Sequence, residues 1–166
     1  MLENLIIRPI EMKDAQQFRD SLYTRDTLEQ IEALIADNIQ KAADNQWLHI
    51  VADLDGEIVG TAMLMRNTRG LKQHRAELAG LVVKYEYWGK GIAHRLVDEC
   101  KKLALGMGIE ILEVGCRGGE PAEQIYKHLG FIEYSRLPNG LKEPWDEQKV
   151  FDEVNLYLPL IEGKGK

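Results

Sequence analysis

The stretch Leu81–Ala93, Leu-Val-Val-Lys-Tyr-Glu-Tyr-Trp-Gly-Lys-Gly-Ile-Ala, has residue types and spacing that could hold a phosphate. Three strand formers (Leu81, Val82, Val83) run into an aromatic turn (Tyr85, Tyr87, Trp88) and then Gly89-Lys90-Gly91. From Ile92 the apolar positions Ile92, Leu96, Val97, Cys100, Leu103 and Ala104 fit one helical face. The first N–H groups of a helix have no internal partner, and the helix dipole makes that end partly positive. Glycines let an anion approach those groups, so strand, glycine turn and helix start together favour a phosphate, with Lys90 adding charge. A plain structural turn can share this pattern. Other chemistries lack their signatures. The four histidines, His49, His74, His94 and His128, have no metal-ligand spacing. There is no Gly-x-Ser-x-Gly elbow and no Walker Lys-Ser/Thr ending. Cys100 and Cys116 make neither a disulfide framework nor a zinc site, so no metal is expected.

The elements that must position this turn follow from periodicity. Leu5–Ile10 predicts a first strand ended by Pro9. A short helix from Lys13-Asp14 points Phe18 and Leu22 inward, Thr24 to Asp26 interrupts it, and Thr27 caps a second helix with Leu28, Ile31, Leu34, Ile35 and Ile39 on its apolar stripe. Trp47–Ala52 and Ile58–Met65 read as strands joined through Asp55-Gly56, a hairpin signal. Arg75–Val83 is the strand that delivers the chain to the turn, and Ile109–Val114 follows the helix, which implies a parallel pair with a right-handed crossover. Pro121 opens a two-turn helix closed by Gly130; Phe131–Leu137 and Val150–Leu158 are strands on either side of a polar loop, Pro138–Lys149, that holds Trp145. Residues 163–166 read as a frayed end.

Composition sets bounds. The chain has 166 residues, enough for one domain (1–166) with a substantial core, and is 45% hydrophobic and 29% charged. A net charge of −6 without a basic block disfavours nucleic acid as a partner. No apolar stretch approaches the ~20 residues that span a bilayer, and Glu3 and Arg8 bracket a run unlike a signal peptide, so a cytoplasmic protein without a membrane partner is expected.

The turn also resembles the GNAT superfamily of acetyl-CoA-dependent N-acetyltransferases, whose phosphate loop reads Arg/Gln-x-x-Gly-x-Gly/Ala after a strand. Gly91 and Ala93 match the last two fixed positions; Trp88 stands where Arg or Gln is usual. A second stretch, Ala122-x-x-Ile125-Tyr126-Lys127-x-x-Gly130-Phe131, is similar to that family's C-terminal signature, with Gly119 where an Asn is usual. The order of elements is similar to the GNAT fold over essentially the whole chain. The resemblance implies an α/β (α+β) fold with a mixed central sheet of six or seven strands flanked by four helices. It implies acetyl-CoA as co-substrate, held by Leu81, Val82, Val83, Trp88, Gly89, Lys90, Gly91, Ile92 and Ala93, with N–H groups near Val83 polarising the thioester carbonyl.

An amine must lose a proton before it can attack. A lysine-like amine is neutral in roughly one part in 2,500 at pH 7, a handicap of ~4.6 kcal/mol, so a base matters. The resemblance places Glu77 at the strand position of a catalytic carboxylate and Tyr126 at that of the general acid that protonates the departing sulfur. Read from the residues alone, Glu77 can instead pair with Arg75 or lie on a solvated face, and Tyr126 can be a core tyrosine beside Ile125. The expected activity is transfer of acetyl to the primary amine of a small molecule by direct attack. A protein N-terminus or lysine as acceptor, and a non-catalytic CoA-binding module, are the alternatives; a homodimer is compatible with all of them.

Overall fold

The structure, a computed structural model, describes residues 2–161; the expected frayed end at 163–166 lies outside them. Seven strands form one sheet: β1 (Leu5–Pro9), β2 (Trp47–Leu54), β3 (Glu57–Arg66), β4 (Arg75–Val83), β5 (Ile111–Arg117), β6 (Ile132–Glu143) and β7 (Asp146–Pro159), in the order β1-β2-β3-β4-β5-β7-β6. Four α-helices accompany them: α1 (Ala15–Ser21), α2 (Leu28–Ala43), α3 (Ile92–Gly106) and α4 (Pro121–His128). This is the expected mixed sheet with four helices.

β2 and β3 are buried on both faces over most of their length, and their sequences are accordingly largely apolar runs. On one face Ile50, Ala52, Ala62, Leu64, Ala76 and Leu78 pack against Ile92, Leu96, Val97 and Cys100 of α3. On the other, Val51 and Ile58 meet Phe18 of α1 and Ile31 and Ile35 of α2. Thr27 caps α2 as its sequence requires: the Gln30 N–H donates to Thr27 Oγ1 at 3.2 Å and the Thr27 N–H to Gln30 Oε1 at 2.8 Å. Asp55 and Gly56 both take positive φ, 53° and 90°, the geometry of a two-residue hairpin turn.

Two features differ from the sequence reading. Pro138–Lys149 is not a free loop: most of it belongs to a long β6–β7 hairpin whose register jumps between Leu137 and Leu141. Pro138 is tolerated because β6 is the edge strand, and the bulge at Asn139-Gly140 absorbs the missing donor. The hairpin outruns β5, whose pairing with β7 ends at Arg117–Glu153. The second difference is a bulge in β4. Met63 opposes Ala79 while Thr61 opposes Val82, which leaves Gly80 at φ 57° between them. A Cβ on Gly80 would lie 2.6 Å from Met63 Cε and 3.2 Å from the Tyr23 hydroxyl, so any other residue would have to displace the end of Met63 and hold a left-handed backbone that glycine adopts without cost.

One buried polar chain crosses the α2 side. Asn38 Nδ2 donates to His49 Nδ1 (3.0 Å), His49 Nε2 to Thr61 Oγ1 (2.9 Å) and Thr61 Oγ1 to the Ile50 carbonyl (2.9 Å), which assigns a neutral imidazole. Burial pushes the His49 pKa down to about 4, with Asp14 opposing weakly. Because that value lies below the ordinary 6.5, the unfolded chain takes the proton first as pH falls. The stabilisation is complete above about pH 6.5 and is lost progressively toward pH 4, a change of ~3 kcal/mol. His49→Gln should therefore flatten the fall in Tm between pH 7 and pH 4 by about 6–12 °C relative to the wild type. Equal slopes in the two proteins would show that the ring does not stay neutral.

Candidate active site

The parallel pairing of β4 with β5 covers only Arg75–Glu77 against Ile111–Glu113. Beyond it the strands separate, because β4 bends at the Gly80 bulge while β5 continues along β7. The separation leaves one edge of β4 without a strand partner. The Lys84 N–H donates to Val59 on β3 at 2.9 Å, so by alternation the backbone groups of Val83 face the open edge. There the Trp88 indole N–H donates to the Val83 carbonyl at 2.8 Å, and Trp88 packs against Tyr85 with the rings tilted by 59° and their centroids 4.9 Å apart. The donor that Trp88 would offer a phosphate is thus engaged with β4. Leu81, Val82 and Val83 are half-buried along this edge.

The glycine turn ends at α3 with Gly91 as N-cap at φ 81° and no capping side chain. Gly89 also takes positive φ, 74°, and a Cβ at either glycine would project into open space. The N–H groups of Ile92 and Ala93 are in the first turn of α3 and have no carbonyl of the helix to reach. Lys90 Nζ lies over the Tyr87 ring at 5.6 Å, at the rim of the turn. Open glycines, unpaired N–H groups and a helix of 15 residues behind them make this end of α3 a partly positive, sterically open surface that an anion can approach.

Glu77 is the last residue of β4 paired with β5, and is exposed to a cavity of about 400 Å³ that Met65, Arg66, Arg75, Glu113, Tyr134 and Glu153 also line. The expected alternative for Glu77, an ion pair with Arg75, does not form. Arg75 instead turns to Glu113 on β5, its Nε 2.8 Å from Oε2 and a second guanidinium nitrogen on Oε1. The Tyr134 hydroxyl donates to the same Glu113 Oε1 at 3.0 Å. Desolvation by the cavity wall, and then the Glu113 charge, raise the Glu77 pKa above the usual carboxylate range. Arg75, with Tyr134 assisting, holds Glu113 below it against the desolvation that opposes them.

Tyr126 sits on α4 and is 8% exposed, edge-on to Phe131 with centroids 5.7 Å apart. It belongs to the α3-side core, yet it neighbours Cys116 near the end of β5, on the side where β4 and β5 separate. Burial first, and Cys116 second, push its hydroxyl up to about 12. A clamp fixes α4: Glu123 accepts from Lys127 (2.7 Å), Arg136 (2.9 Å) and the Gly119 N–H (3.1 Å). Gly119, where the C-terminal signature has Asn, thus contributes its backbone to holding the helix.

Across the separation, the α1–α2 connection meets the tip of the β6–β7 hairpin: the Arg25 guanidinium lies 4.4 Å from the centre of the Trp145 ring. Tyr23, two residues before Arg25, points its hydroxyl at Gly80 on the β4 bulge. Sequence reasoning missed Gly80, Glu113, Tyr134 and this bridge. An isolated glycine inside a strand pattern was the signal for the bulge; the other contacts join distant segments and leave no local pattern. A second hollow of about 450 Å³ lies along β1 and α2 and reaches neither Glu77, Tyr126 nor the glycine turn.

Residues 10–131 match the model of the acetyltransferase (GNAT) family. The chain belongs to that family. Solved structures agree on the fold. The Salmonella typhimurium protein YncA, solved with its cofactor acetyl-CoA, superposes with a TM-score of 0.82 at 16% identity over 98% of each chain. The ribosomal-protein-S5-alanine acetyltransferase of Vibrio fischeri gives 0.82 at 17% identity over 99% of this chain and 98% of that one. A spermidine N-acetyltransferase chimera from Vibrio cholerae gives 0.77 at 16% identity over 95% and 96%. This chain is thus a GNAT-family acetyltransferase. Its described residues hold no cluster of side chains able to bind a metal ion, and no described helix is long and apolar enough to cross a membrane.

Proposed function

We propose that this GNAT enzyme transfers acetyl from acetyl-CoA to the primary amine of a small molecule bound in the cavity beside Glu77, by direct attack. The observation that carries the reading is Glu77 itself: a carboxylate facing a 400 Å³ cavity, without an ion-pair partner and with raised proton affinity. A cavity of that volume is in the range of small-ligand sites. Recognition of a ribosomal protein or of spermidine by the compared enzymes does not decide between acceptors, because likeness at 16–17% identity reaches the fold alone.

The residues present fit acetyl-CoA. Gly89, Lys90, Gly91 and the N–H groups of Ile92 and Ala93 would hold its diphosphate, and the open edge at Leu81, Val82 and Val83 would take the pantetheine amides; Trp88 shapes that edge through Val83. When bound, acetyl-CoA would supply a thioester carbonyl to the amine nitrogen, the new N–C bond replacing the C–S bond so that CoA departs as its thiolate. Glu77, directly or through water, takes the proton that the ammonium must lose, and Tyr126 donates its O–H toward the departing sulfur.

The raised pKa of Glu77 has a sign that can be read. As a base it works only once ionised, so kcat/KM should rise with pH through a limb above the ordinary carboxylate range. Glu77→Gln should remove that limb and lower kcat/KM near pH 7 by about 10²-fold, with less loss at high pH, where more amine arrives neutral. A Gln variant whose profile overlays the wild type would remove Glu77 from the mechanism.

A further inference from the structure

We propose that Glu113 is a positioning residue for Glu77: by holding Arg75 in a two-point ion pair, it keeps the nearest cation off the base and leaves that base free to take a proton. The inference rests on the reading of Glu77 as the base. Its grounds are the register and the contacts. Glu77 and Glu113 are paired residues on adjacent parallel strands, so both carboxylates rise from the same face, side by side, into one cavity. Arg75 is two residues before Glu77 on the same strand, hence on the same face, and its flexible stem gives it the reach to close on either carboxylate. It closes on Glu113, where Tyr134 from β6 adds a hydrogen bond to Oε1.

The other charged and titratable groups around Glu77 do not compete. From β3, Arg66 is turned to backbone carbonyls, those of Gln73 at 2.9 Å and of Met107. Lys72, in the turn before β4, bears on Glu113. Glu153 from β7 lines the cavity with the same sign as Glu77, and Asn155 beside it is neutral. Arg75 is therefore the cation whose choice of partner decides the state of Glu77. Paired to Glu77, it would make the carboxylate a weaker base and fill the place the substrate ammonium needs; paired to Glu113, it leaves a charge that favours the protonated form of Glu77.

The test is the acidic limb of kcat/KM in two variants whose shifts must be opposite. Glu113→Gln frees Arg75 and removes the neighbouring charge, so the limb should move down by about one pH unit and the rate at neutral pH should fall, with KM for acetyl-CoA unchanged. Arg75→Gln leaves Glu113 charged and unpaired, so the limb should move up by about one pH unit. Titration of the Glu77 carboxyl by carbon NMR in the same proteins gives the shift without catalysis, and Arg75→Gln alone carries the test if Glu113→Gln does not fold. Limbs that stay in place in both variants, while Glu77→Gln abolishes the limb, would overturn this proposal and leave the base standing. A limb untouched by Glu77→Gln would overturn both.

Discussion

Gly91→Val should give a folded protein that acetyl-CoA no longer stabilises. At 100 times Kd the wild type should gain roughly 2.7 kcal/mol from the ligand, read as a rise in Tm. Gly91 is the N-cap of α3 at φ 81°, and a side chain there projects into open space rather than into protein. The valine therefore does two things. It strains a left-handed backbone position by about 1–2 kcal/mol, and it places a branched side chain where the diphosphate must meet the free N–H groups of α3. Gly56 separates the two effects, since it has φ 90°, open space around its Cβ and a place in the β2–β3 turn. Gly56→Val should lower Tm by a similar amount and keep the full response to acetyl-CoA. Equal responses in the two variants would mean that the glycine turn is structural only.

Tyr126→Phe should lower kcat by about 10²-fold or more with little change in the affinity for acetyl-CoA. The ring packs edge-on to Phe131, and a phenylalanine retains that contact. What is lost is one hydroxyl whose pKa is pushed up to about 12, so that it stays protonated throughout the working range. The same burial makes it a weak acid. A thiol near 8.5 is about 3.5 units stronger, so complete transfer to a relaxed thiolate would be uphill by ~5 kcal/mol. The hydroxyl consequently acts as a hydrogen-bond donor that stabilises the charge building on the sulfur as the C–S bond breaks, held in place by a fixed α4. No alkaline loss of activity assignable to Tyr126 should appear below about pH 11. A Phe variant with the wild-type single-turnover rate would return Tyr126 to the core.

The parts legible in the sequence are those governed by short-range rules. Thr27 with Gln30, Asp55-Gly56, Gly91 ahead of an amphipathic run, and Pro121 at a helix start each carry their own backbone or capping requirement, and each stands where those rules put it. The two strands on either side were legible, but the outer part of the β6–β7 hairpin, within Pro138–Lys149, was hidden because an edge strand exposed on both faces has no alternating pattern to display, and Pro138 reads as a loop. Glu77 was legible as a candidate, but its state was not. Arg75 is equally near Glu77 in sequence, and its choice of Glu113 depends on a parallel pairing that brings together residues 38 apart. The Arg25–Trp145 bridge has the same origin in long-range topology.

The most direct test of the account is acceptor-dependent release of CoA thiol from acetyl-CoA across a panel of small primary amines, set beside peptides with free N-termini and lysines. A small amine should drive turnover, with thiol release matched one-to-one by its N-acetylated product, and Glu77→Gln and Tyr126→Phe should each suppress it. Turnover with the peptides while every small amine stays inert would contradict it.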